Sequence, residues 1–301
     1  MVATWLLTPL VRKIAIARGA VDDPKRDDRR IHKAPLPRWG GLAIYAGIVV
    51  SALAVLPMAF PNHPFPLYLI GMLVVGGVLV VVGALDDLHQ YSAKAQFILL
   101  LLAGIAVQFL FDDKGRVQVV APIALAVPVT MFTIFIITKT MDTIDGVDGL
   151  ASGLAAITAV TLCIVGTWSA QPYIAILAAA VAGASMGFLQ HNYNPARIIM
   201  GTGGAYILGF LLASLCIAGA MKAPGSLTIA APLFLFFVPL FDAAQVMIKR
   251  YRAGDPLTQP DKRHVHHVLL GRGLNQRQTV LTLYSVSAFV CAVFVQLAVQ
   301  K

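Results

Sequence analysis

The sequence predicts an all-α polytopic membrane protein with about ten transmembrane helices and its polar loops gathered on the cytoplasmic face. Of the 301 residues, 58% are hydrophobic, and only 23 Lys and Arg and 14 Asp residues carry a charge. This is about half the charged share of a typical soluble domain. The apolar residues form long runs, and the basic residues collect between those runs. The pattern argues against a soluble enzyme, a nucleic-acid-binding module and a disordered chain.

Ten apolar segments justify the helix count. They cover residues 2–11, 42–58, 67–85, 95–111, 117–138, 150–168, 173–189, 205–221, 227–248 and 279–299. The first is too short to span a bilayer, since a helix of its length rises only about 15 Å. We expect it to continue through 14–17, past Arg12 and Lys13, or to follow an upstream piece that this chain lacks. No basic stretch precedes it, which argues against a signal peptide.

The charge distribution predicts the orientation of a single membrane domain over residues 1–301. If the segments alternate, 19 of the 23 Lys and Arg residues share one side, in the loops 12–41, 86–94, 139–149, 190–204 and 249–278. The positive-inside rule places this side in the cytoplasm and both termini outside. Eleven of the 14 Asp and six of the seven His residues lie in these loops, and Asp242 lies towards their end of the ninth segment; the exceptions on the other side are Asp112, Asp113 and His63. The net charge of +9 follows from this bias rather than from a nucleic-acid partner.

The three cysteines, Cys163, Cys216 and Cys291, stand singly inside apolar segments without a CxxC motif. We expect them to pack in the core rather than to form disulfides or to bind a metal.

Two Asp motifs carry the carboxylate chemistry, because the sequence contains no Glu. Asp86 and Asp87 are adjacent at the end of the third segment, where paired carboxylates need a cation or a proton. In TMDTIDGVDGL, Asp142, Asp145 and Asp148 are three residues apart and share one helical face. For Asp86 and Asp87 the sharper interpretation is a Mg²⁺ or base site, and for the later motif it is a face whose interleaved glycines let a ligand or another backbone come close. A solvated helix end or turn is the alternative for each motif.

Groups suited to an anionic ligand accompany these carboxylates. His89 and Lys94 follow the Asp pair, and Asn-Pro with a Gly cluster in 190–204 predicts a turn whose following helix amides could meet a phosphate. The longest polar loop, 249–278, holds seven Lys and Arg residues and an HVHH run. Phosphate recognition fits this loop better than a zinc site or attraction to anionic lipid alone. The N-terminal charged loop, 19–41, is either a plain surface loop or a fixed lead into the second segment.

Asp pairs suited to Mg²⁺ and basic groups suited to phosphate thus stand where a membrane meets the cytosol. This combination indicates phosphoryl transfer between a soluble nucleotide derivative and a lipid phosphate. Two other classes stay open. One is a transporter of an anionic substrate, although the polar residues cluster on one side and no inverted repeat is visible. The other is a silent protein that binds nucleotide sugar or lipid phosphate without turnover.

The motifs resemble, in order and over essentially the whole chain, those of the polyprenyl-phosphate N-acetylhexosamine-1-phosphate transferases of glycosyl transferase family 4. The likeness is carried by TPLVRKIAIARGAVDDP, RRIHKAPLPRWGGLAIY, ALDDLHQYSAKAQ, TIDGVDGLASG, HNYNPARIIMG and RHVHHVLLGRGLNQRQTV. The RHVHHVLL form, in place of a three-His run, is similar to the bacterial undecaprenyl-phosphate GlcNAc-1-phosphate branch rather than the muramyl-pentapeptide branch.

The resemblance implies that polyprenyl phosphate attacks the sugar-linked phosphorus of UDP-N-acetylhexosamine and that UMP leaves. It implies Mg²⁺, or alternatively Mn²⁺, as the cofactor. The location would be the bacterial cytoplasmic membrane, at the first membrane step of cell-surface polysaccharide synthesis. A homodimer is left open, and no nucleic-acid partner is expected.

The resemblance also implies roles for individual residues. The Asp86–Asp87 pair would lie next to Mg²⁺ or activate the lipid phosphate, and the later Asp motif would bind the nucleotide. The expected catalytic residues are Asp86, Asp87, Asp145, Asp148 and His266. The expected substrate-binding residues are Lys94, Asp142, Asn192, Arg263, His264 and His267. The expected metal ligands are Asp86, Asp87, Asp142 and Thr202.

Two positions depart from the family pattern. Asp142 stands where the family usually has Asn, and Thr202 stands where it usually has a metal-binding Asp after the glycine of MGDTGS. Loss of a ligand carboxylate puts metal affinity in question. Three explanations are open: Asp142 replaces the missing carboxylate, the protein is a non-catalytic paralogue, or the sequence has been altered. We prefer the first.

Overall fold

A computed structural model describes residues 1–24, 34–109, 117–119, 122–220, 230–256 and 263–299. These residues form twelve helices and one two-stranded antiparallel sheet. The helices are α1 Val2–Ala17, α2 Gly40–Ala59, α3 Leu67–His89, α4 Ala93–Phe109, α5 Ile123–Ile144, α6 Leu150–Trp168, α7 Pro172–Asn192, α8 Gly201–Ala218, α9 Ala231–Leu235, α10 Phe237–Ala253, α11 Val265–Gly271 and α12 Gln276–Val299. The strands are β1 Val21–Asp22 and β2 Leu36–Pro37.

The chain is an all-helical, polytopic membrane protein, as its composition predicts. Seven helices in the described part of the chain are long and apolar enough to cross a bilayer, namely α2, α3, α5, α6, α7, α8 and α12. The first segment continues past Arg12 and Lys13 to Ala17, as expected. All three cysteines are free, and Cys216 and Cys291 are buried.

The ninth segment and the long polar loop differ from expectation. The described part of the ninth segment is two helices, because Phe236 leaves the helical conformation between α9 and α10. A proline in the first turn of each helix, Pro232 and Pro239, suits a new start, since proline cannot donate a backbone hydrogen bond. The polar loop contains helix α11, and α10 runs into its basic stretch as far as Ala253. Residues 257–262 of this loop, with Asp261 and Lys262, lie outside the described residues.

Helix α8 forms the centre of the bundle and is buried along nearly its whole length. Helices α2 and α3 reach its first turn through glycine contacts. A Cβ added at Gly83 would overlap Cα of Gly203, and one added at Gly41 would overlap the backbone nitrogen of Gly204. Such small-residue contacts let membrane helices pack with their backbones nearly touching. They bring the end of α3 against the beginning of α8.

The segment before α2 is the fixed lead that its Pro and Gly residues predict. Arg38 donates its backbone N–H to the Ala20 carbonyl at 2.8 Å, and Gly40 donates to Ile199 at 3.1 Å. The Trp39 indole donates to the carbonyl of Ala84 at 2.8 Å. These bonds tie the lead to both α3 and the α7–α8 connection. The charged residues at 25–33 lie outside the described residues, as do Asp112, Asp113, Lys114, Arg116 and Lys222.

Candidate active site

The two acidic motifs meet at one end of the bundle. Asp87 at the end of α3 lies close enough to interact electrostatically with Asp145, in the turn between α5 and α6. Asp142 and Asp148 contribute to the same negative field, and Arg38 opposes it. The sequence predicted both motifs but did not establish that they meet, and Arg38 was not among the expected site residues.

Asp87 is the more buried of the two adjacent carboxylates, Asp86 and Asp87, at the end of α3. Its Oδ1 accepts the backbone N–H of Thr202 at 3.1 Å and lies 3.2 Å from Nε of Arg38. Nη1 of the same arginine lies 3.7 Å from Asp22. The Oδ2 of Asp87 is buried and has no hydrogen-bond partner among the described residues. A Cβ at Gly201 would overlap this oxygen, so the glycine makes room for it.

Asp86 points to the other side of α3, towards α4. Its Oδ1 accepts the backbone N–H of Tyr91 at 2.7 Å, and both of its oxygens lie 3.2 Å from Nε2 of Gln96. It contributes to the wall of a cavity of about 330 Å³ lined by Val82, Asp86, Tyr91, Ala95, Gln96, Leu99 and Tyr206. This is a mostly apolar cavity with a carboxylate in its wall.

A chain of hydrogen bonds connects Asp86 to Asp142. Gln96, which donates to Asp86, accepts a 2.9 Å hydrogen bond from Nζ of Lys139. Lys139 also lies 2.7 Å from Oδ2 of Asp142, three residues further along α5. Asp142 therefore has an organic cation as its partner. The sequence analysis did not single out Lys139. Its i, i+3 spacing from Asp142 was the feature that could have indicated this ion pair.

Asp145 lies just beyond the end of α5 and is half-buried. Desolvation and the neighbouring carboxylates, Asp142 first among them, raise its pKa well above the usual range, against the influence of Arg38. A carboxylate in such a field gains from any cation that comes to lie beside it.

Asp148 and Asn192 shape the loop that follows α7. Asp148 Oδ2 accepts hydrogen bonds from Nδ2 of Asn194 and the backbone N–H of Ala196, both at 3.0 Å. Asn192 is buried; it accepts the N–H of Gly149 at 3.1 Å and donates to the Ile198 carbonyl at 3.0 Å. These internal bonds use both ends of the Asn192 amide, and its expected contact with substrate stays a prediction.

The histidine motif is fixed to α10 by a residue that the sequence analysis missed. Asp242 is buried in α10; its Oδ2 lies 2.7 Å from Nδ1 of His264, and its Oδ1 accepts the backbone N–H of Val265 at 2.6 Å. An ionisable residue in an apolar segment is a functional-site signal in itself. Asp242 is the only ionisable residue in the ninth segment, so the sequence already contained this signal.

Helix α11 docks on the turn that contains Asp145. His266 is buried, and a Cβ added at Gly146 would lie 2.7 Å from its Nε2. Burial, together with His267 and His264, lowers the pKa of His266 to about 3 despite the nearby Asp242. His266 is therefore neutral at physiological pH. The ring of His267 lies 4.5 Å from it, centroid to centroid.

The two expected basic contacts lie further out. Nη2 of Arg263 lies 2.6 Å from Asp255 Oδ2, and both side chains are more than a third exposed. Lys94 is exposed on the first turn of α4, two residues before Gln96.

The donor chemistry fits Mg²⁺ although no complete cage is present. Among the described residues, no three His, Cys or Asp side chains are arranged to hold a metal ion by themselves. Mg²⁺ binds commonly through one or two carboxylates with water in its other positions, and the unpartnered Oδ2 of Asp87 offers one such oxygen. Asp142 is paired with Lys139, and Asp86 is hydrogen-bonded to Tyr91 and Gln96 on the side of α4. Asp87 therefore offers the carboxylate oxygen best placed for a cation, with Asp145 in the same negative field.

Comparisons with known proteins identify the family. The glycosyl transferase family 4 profile matches residues 69–220. A probable undecaprenyl-phosphate N-acetylglucosaminyl 1-phosphate transferase of Bacillus subtilis is 33% identical over 292 residues, which cover 94% of this chain and 79% of the relative. A decaprenyl-phosphate N-acetylglucosaminephosphotransferase of Mycobacterium tuberculosis is 32% identical, with coverage of 94% and 77%. An undecaprenyl-phosphate alpha-N-acetylglucosaminyl 1-phosphate transferase of Salmonella typhi is 26% identical, with coverage of 96% and 80%. The chain, a multi-pass membrane protein whose two acidic motifs meet at one end of its bundle, belongs to glycosyl transferase family 4.

Proposed function

We propose that the protein transfers N-acetylhexosamine-1-phosphate, with N-acetylglucosamine as the expected sugar, from a UDP-sugar to polyprenyl phosphate and releases UMP. The family and the names of the relatives support this reaction class. Undecaprenyl phosphate is the expected lipid, since the relatives from Bacillus subtilis and Salmonella typhi are named for it. The lipid-linked product would start the synthesis of a cell-surface polysaccharide.

One observation carries the proposal: the Asp86–Asp87 pair lies between an apolar cavity and the turn that holds Asp145. The cavity of about 330 Å³ beside Asp86 has the mixed lining that the phosphate end of a prenyl lipid requires. On the other side, Asp145 interacts with Asp87, and α11 packs on the same turn through His266. A lipid phosphate and a nucleotide sugar could thus approach the same carboxylates from opposite sides.

In the proposed reaction, an oxygen of the lipid phosphate forms a bond to the sugar-linked phosphorus, and the bond from that phosphorus to UMP breaks. Such transfers depend mainly on positioning and on the neutralisation of charge. Asp87 and Asp145 would hold Mg²⁺, or alternatively Mn²⁺, with water in its other positions and with Asp86 facing the lipid phosphate. The ion would offset the charge of the pyrophosphate. Catalysis would then rest on how accurately the two phosphates are aligned.

The histidine motif would bind the pyrophosphate and the sugar. His264 is oriented by Asp242, and neutral His266 can donate or accept one hydrogen bond without adding charge. His267 and Arg263 lie beside them, where a diphosphate would meet a cation and ring N–H groups. Lys94, exposed at the start of α4, would contact the lipid phosphate. Asp148 would act by holding the loop after α7 rather than by touching substrate.

We place the active end at the cytoplasmic face of a bacterial inner membrane. The support comes from the sequence, in which 19 of the 23 Lys and Arg residues fall in the loops expected to share this side. A UDP-sugar is made in the cytosol, so this orientation gives the site direct access to it.

The test is a transfer assay with the purified full chain in detergent or nanodiscs, undecaprenyl phosphate, a panel of UDP-sugars, and Mg²⁺ or Mn²⁺. We expect UMP release only when both lipid phosphate and a UDP-N-acetylhexosamine are present. Release without lipid would identify a hydrolase instead. Binding of UDP-sugar with no release under any condition would select the silent-binder alternative, which the threonine at position 202 favours.

A further inference from the structure

The ammonium group of Lys139 lies beside the acidic motifs and is held by residues on three helices. Its Nζ lies 2.7 Å from Asp142 Oδ2 on α5 and donates at 2.9 Å to Gln96 Oε1 on α4. It also lies 6.0 Å from the centroid of the Tyr206 ring on α8, within the range of a cation–π contact. The ammonium is therefore fixed in place from several directions.

The same group is also within reach of a ligand. The Lys139 side chain is 38% exposed, so it is not sealed into the bundle. An ammonium has three N–H donors and no acceptor, and Asp142 and Gln96 take two of them. One donor is left for an oxygen that approaches from the open side.

The site holds a different set of charges from the family pattern, and Lys139 is part of that difference. A carboxylate is missing at Thr202, and the extra carboxylate at Asp142 is paired with Lys139. The site therefore has fewer uncompensated carboxylates available for a divalent cation than the pattern provides. In exchange it contains a cation of its own, joined through Gln96 to Asp86.

Lys139 stands where the cavity beside Asp86, which Gln96 and Tyr206 line, meets the later Asp motif, to which Asp142 belongs. We propose that from this position Lys139 binds the pyrophosphate of the nucleotide sugar directly, so that nucleotide binding persists without a divalent metal. Lysine is a common phosphate ligand because its ammonium acts as a compact point charge. Asp142 and Gln96 are then positioning residues. The inference rests on the proposed function, since it assigns a contact to that same site. The competing explanation is a purely structural pair, which at this exposure would stabilise the fold only slightly.

The test measures UDP binding by the full chain in detergent by isothermal titration calorimetry, with EDTA and with Mg²⁺. We expect the wild type to bind UDP in EDTA, and Lys139→Met to bind it about tenfold more weakly there. Lys139→Arg should recover most of the affinity, because it restores a cation of similar reach. The matched control is Lys13→Met, which removes an exposed lysine of α1 and should bind like the wild type.

Three outcomes would overturn the inference. Lys139→Met could bind UDP in EDTA as tightly as the wild type, which would leave the lysine a structural role. The wild type could bind UDP only when Mg²⁺ is added. Lys139→Met could melt at a much lower temperature while Lys139→Arg, folded normally, fails to restore affinity, which would mean that the charge is not what binds the nucleotide.

These results are separable from failure of the proposed function. UDP binding in EDTA needs no lipid and no turnover, so it reports on Lys139 even if transfer is never observed. Conversely, UMP release that depends on lipid and on Mg²⁺, with unchanged metal-free binding in Lys139→Met, would keep the proposed function and refute the role of the lysine.

Discussion

The Asp242 carboxylate on α10 and the His264 ring at the start of α11 are joined by a 2.7 Å contact between Oδ2 and Nδ1. The other oxygen of Asp242 accepts the N–H of Val265, so a single buried carboxylate holds both the first histidine and the beginning of its helix. His266 on that helix then packs against the turn that contains Asp145. Asp242 therefore controls whether the histidine motif reaches the acidic site.

Asp242→Asn is expected to loosen this motif. The amide cannot accept hydrogen bonds at both positions, and a buried polar group left unsatisfied costs about 1–3 kcal/mol. Limited proteolysis should cut residues 254–264 faster than in the wild type, and UDP binding should weaken. Asp255→Asn is the matched control, because that carboxylate lies in a partly exposed ion pair of small energetic value. Equal proteolysis of both variants would contradict the anchoring role.

Asp86→Asn and Asp87→Asn should each abolish transfer while the protein is still produced and folded. A neutral amide cannot replace a carboxylate beside a divalent cation, and Asp87 is also the partner of Arg38. UMP release with undecaprenyl phosphate measures the loss, and detergent gel filtration of the same samples controls for folding. Near-normal turnover in both variants would mean that the pair is only a helix end.

The pH dependence of stability should contain a contribution from His266. Its pKa is about 3 in the folded protein and about 6.5 in an unfolded chain. The unfolded chain binds more protons between these values, so the stabilisation is complete above about pH 6.5 and is lost as the pH falls towards 3. At about pH 5 the loss amounts to roughly 2 kcal/mol.

Thermal unfolding at about pH 7.5 and about pH 5 measures this effect. The wild type should lose more thermal stability over that interval than His266→Gln, which has no titrating group there. In the transfer assay, His266→Ala and His267→Ala should mainly raise the KM for UDP-sugar, with a loss of kcat only where the contact strengthens in the transition state. An equal pH response of the wild type and His266→Gln would mean that His266 is solvated.

Thr202→Asp should lower the Mg²⁺ concentration needed for half-maximal transfer, by about tenfold, because it adds a carboxylate next to Asp87. Asp142→Asn should leave that concentration nearly unchanged, since Asp142 is held by Lys139. The double variant completes a mutant cycle. If Asp142→Asn instead raises the Mg²⁺ requirement and Thr202→Asp rescues it, Asp142 is the compensating ligand expected from the sequence.

The orientation can be tested by cysteine labelling on a background in which all three native cysteines are replaced. Ala253→Cys, in the exposed last turn of α10, should react with a membrane-impermeant maleimide only after the cells are opened. His63→Cys, in the exposed α2–α3 connection, should react in intact cells. Labelling of position 253 from outside intact cells would reverse the proposed topology.

The helical segments followed from sequence because apolar runs separated by basic loops have few alternatives in a bilayer. The break at Phe236 and the helix at Val265–Gly271 did not follow, because hydropathy averages over a whole segment and is insensitive to short helices in polar loops. Among the candidate site residues, Asp86, Asp87 and Asp145 stood out because carboxylates at a membrane boundary are rare and costly. Arg38 and Lys139 did not, because lysine and arginine are common in such loops.

By itself, the sequence determined the class of the protein: its membrane-spanning character, the two acidic motifs and the resemblance of their spacing to one transferase family. These properties depend on the composition and order of the residues, because apolar segments partition into the bilayer and charged segments stay in water. Only the tertiary structure decided which charges meet. Arg38, in the lead before α2, contacts Asp87 on α3. Asp242 binds His264 of the histidine motif, and Lys139 forms an ion pair with Asp142. Such pairings depend on close glycine-mediated helix packing and on loop hydrogen bonds between residues far apart in the chain.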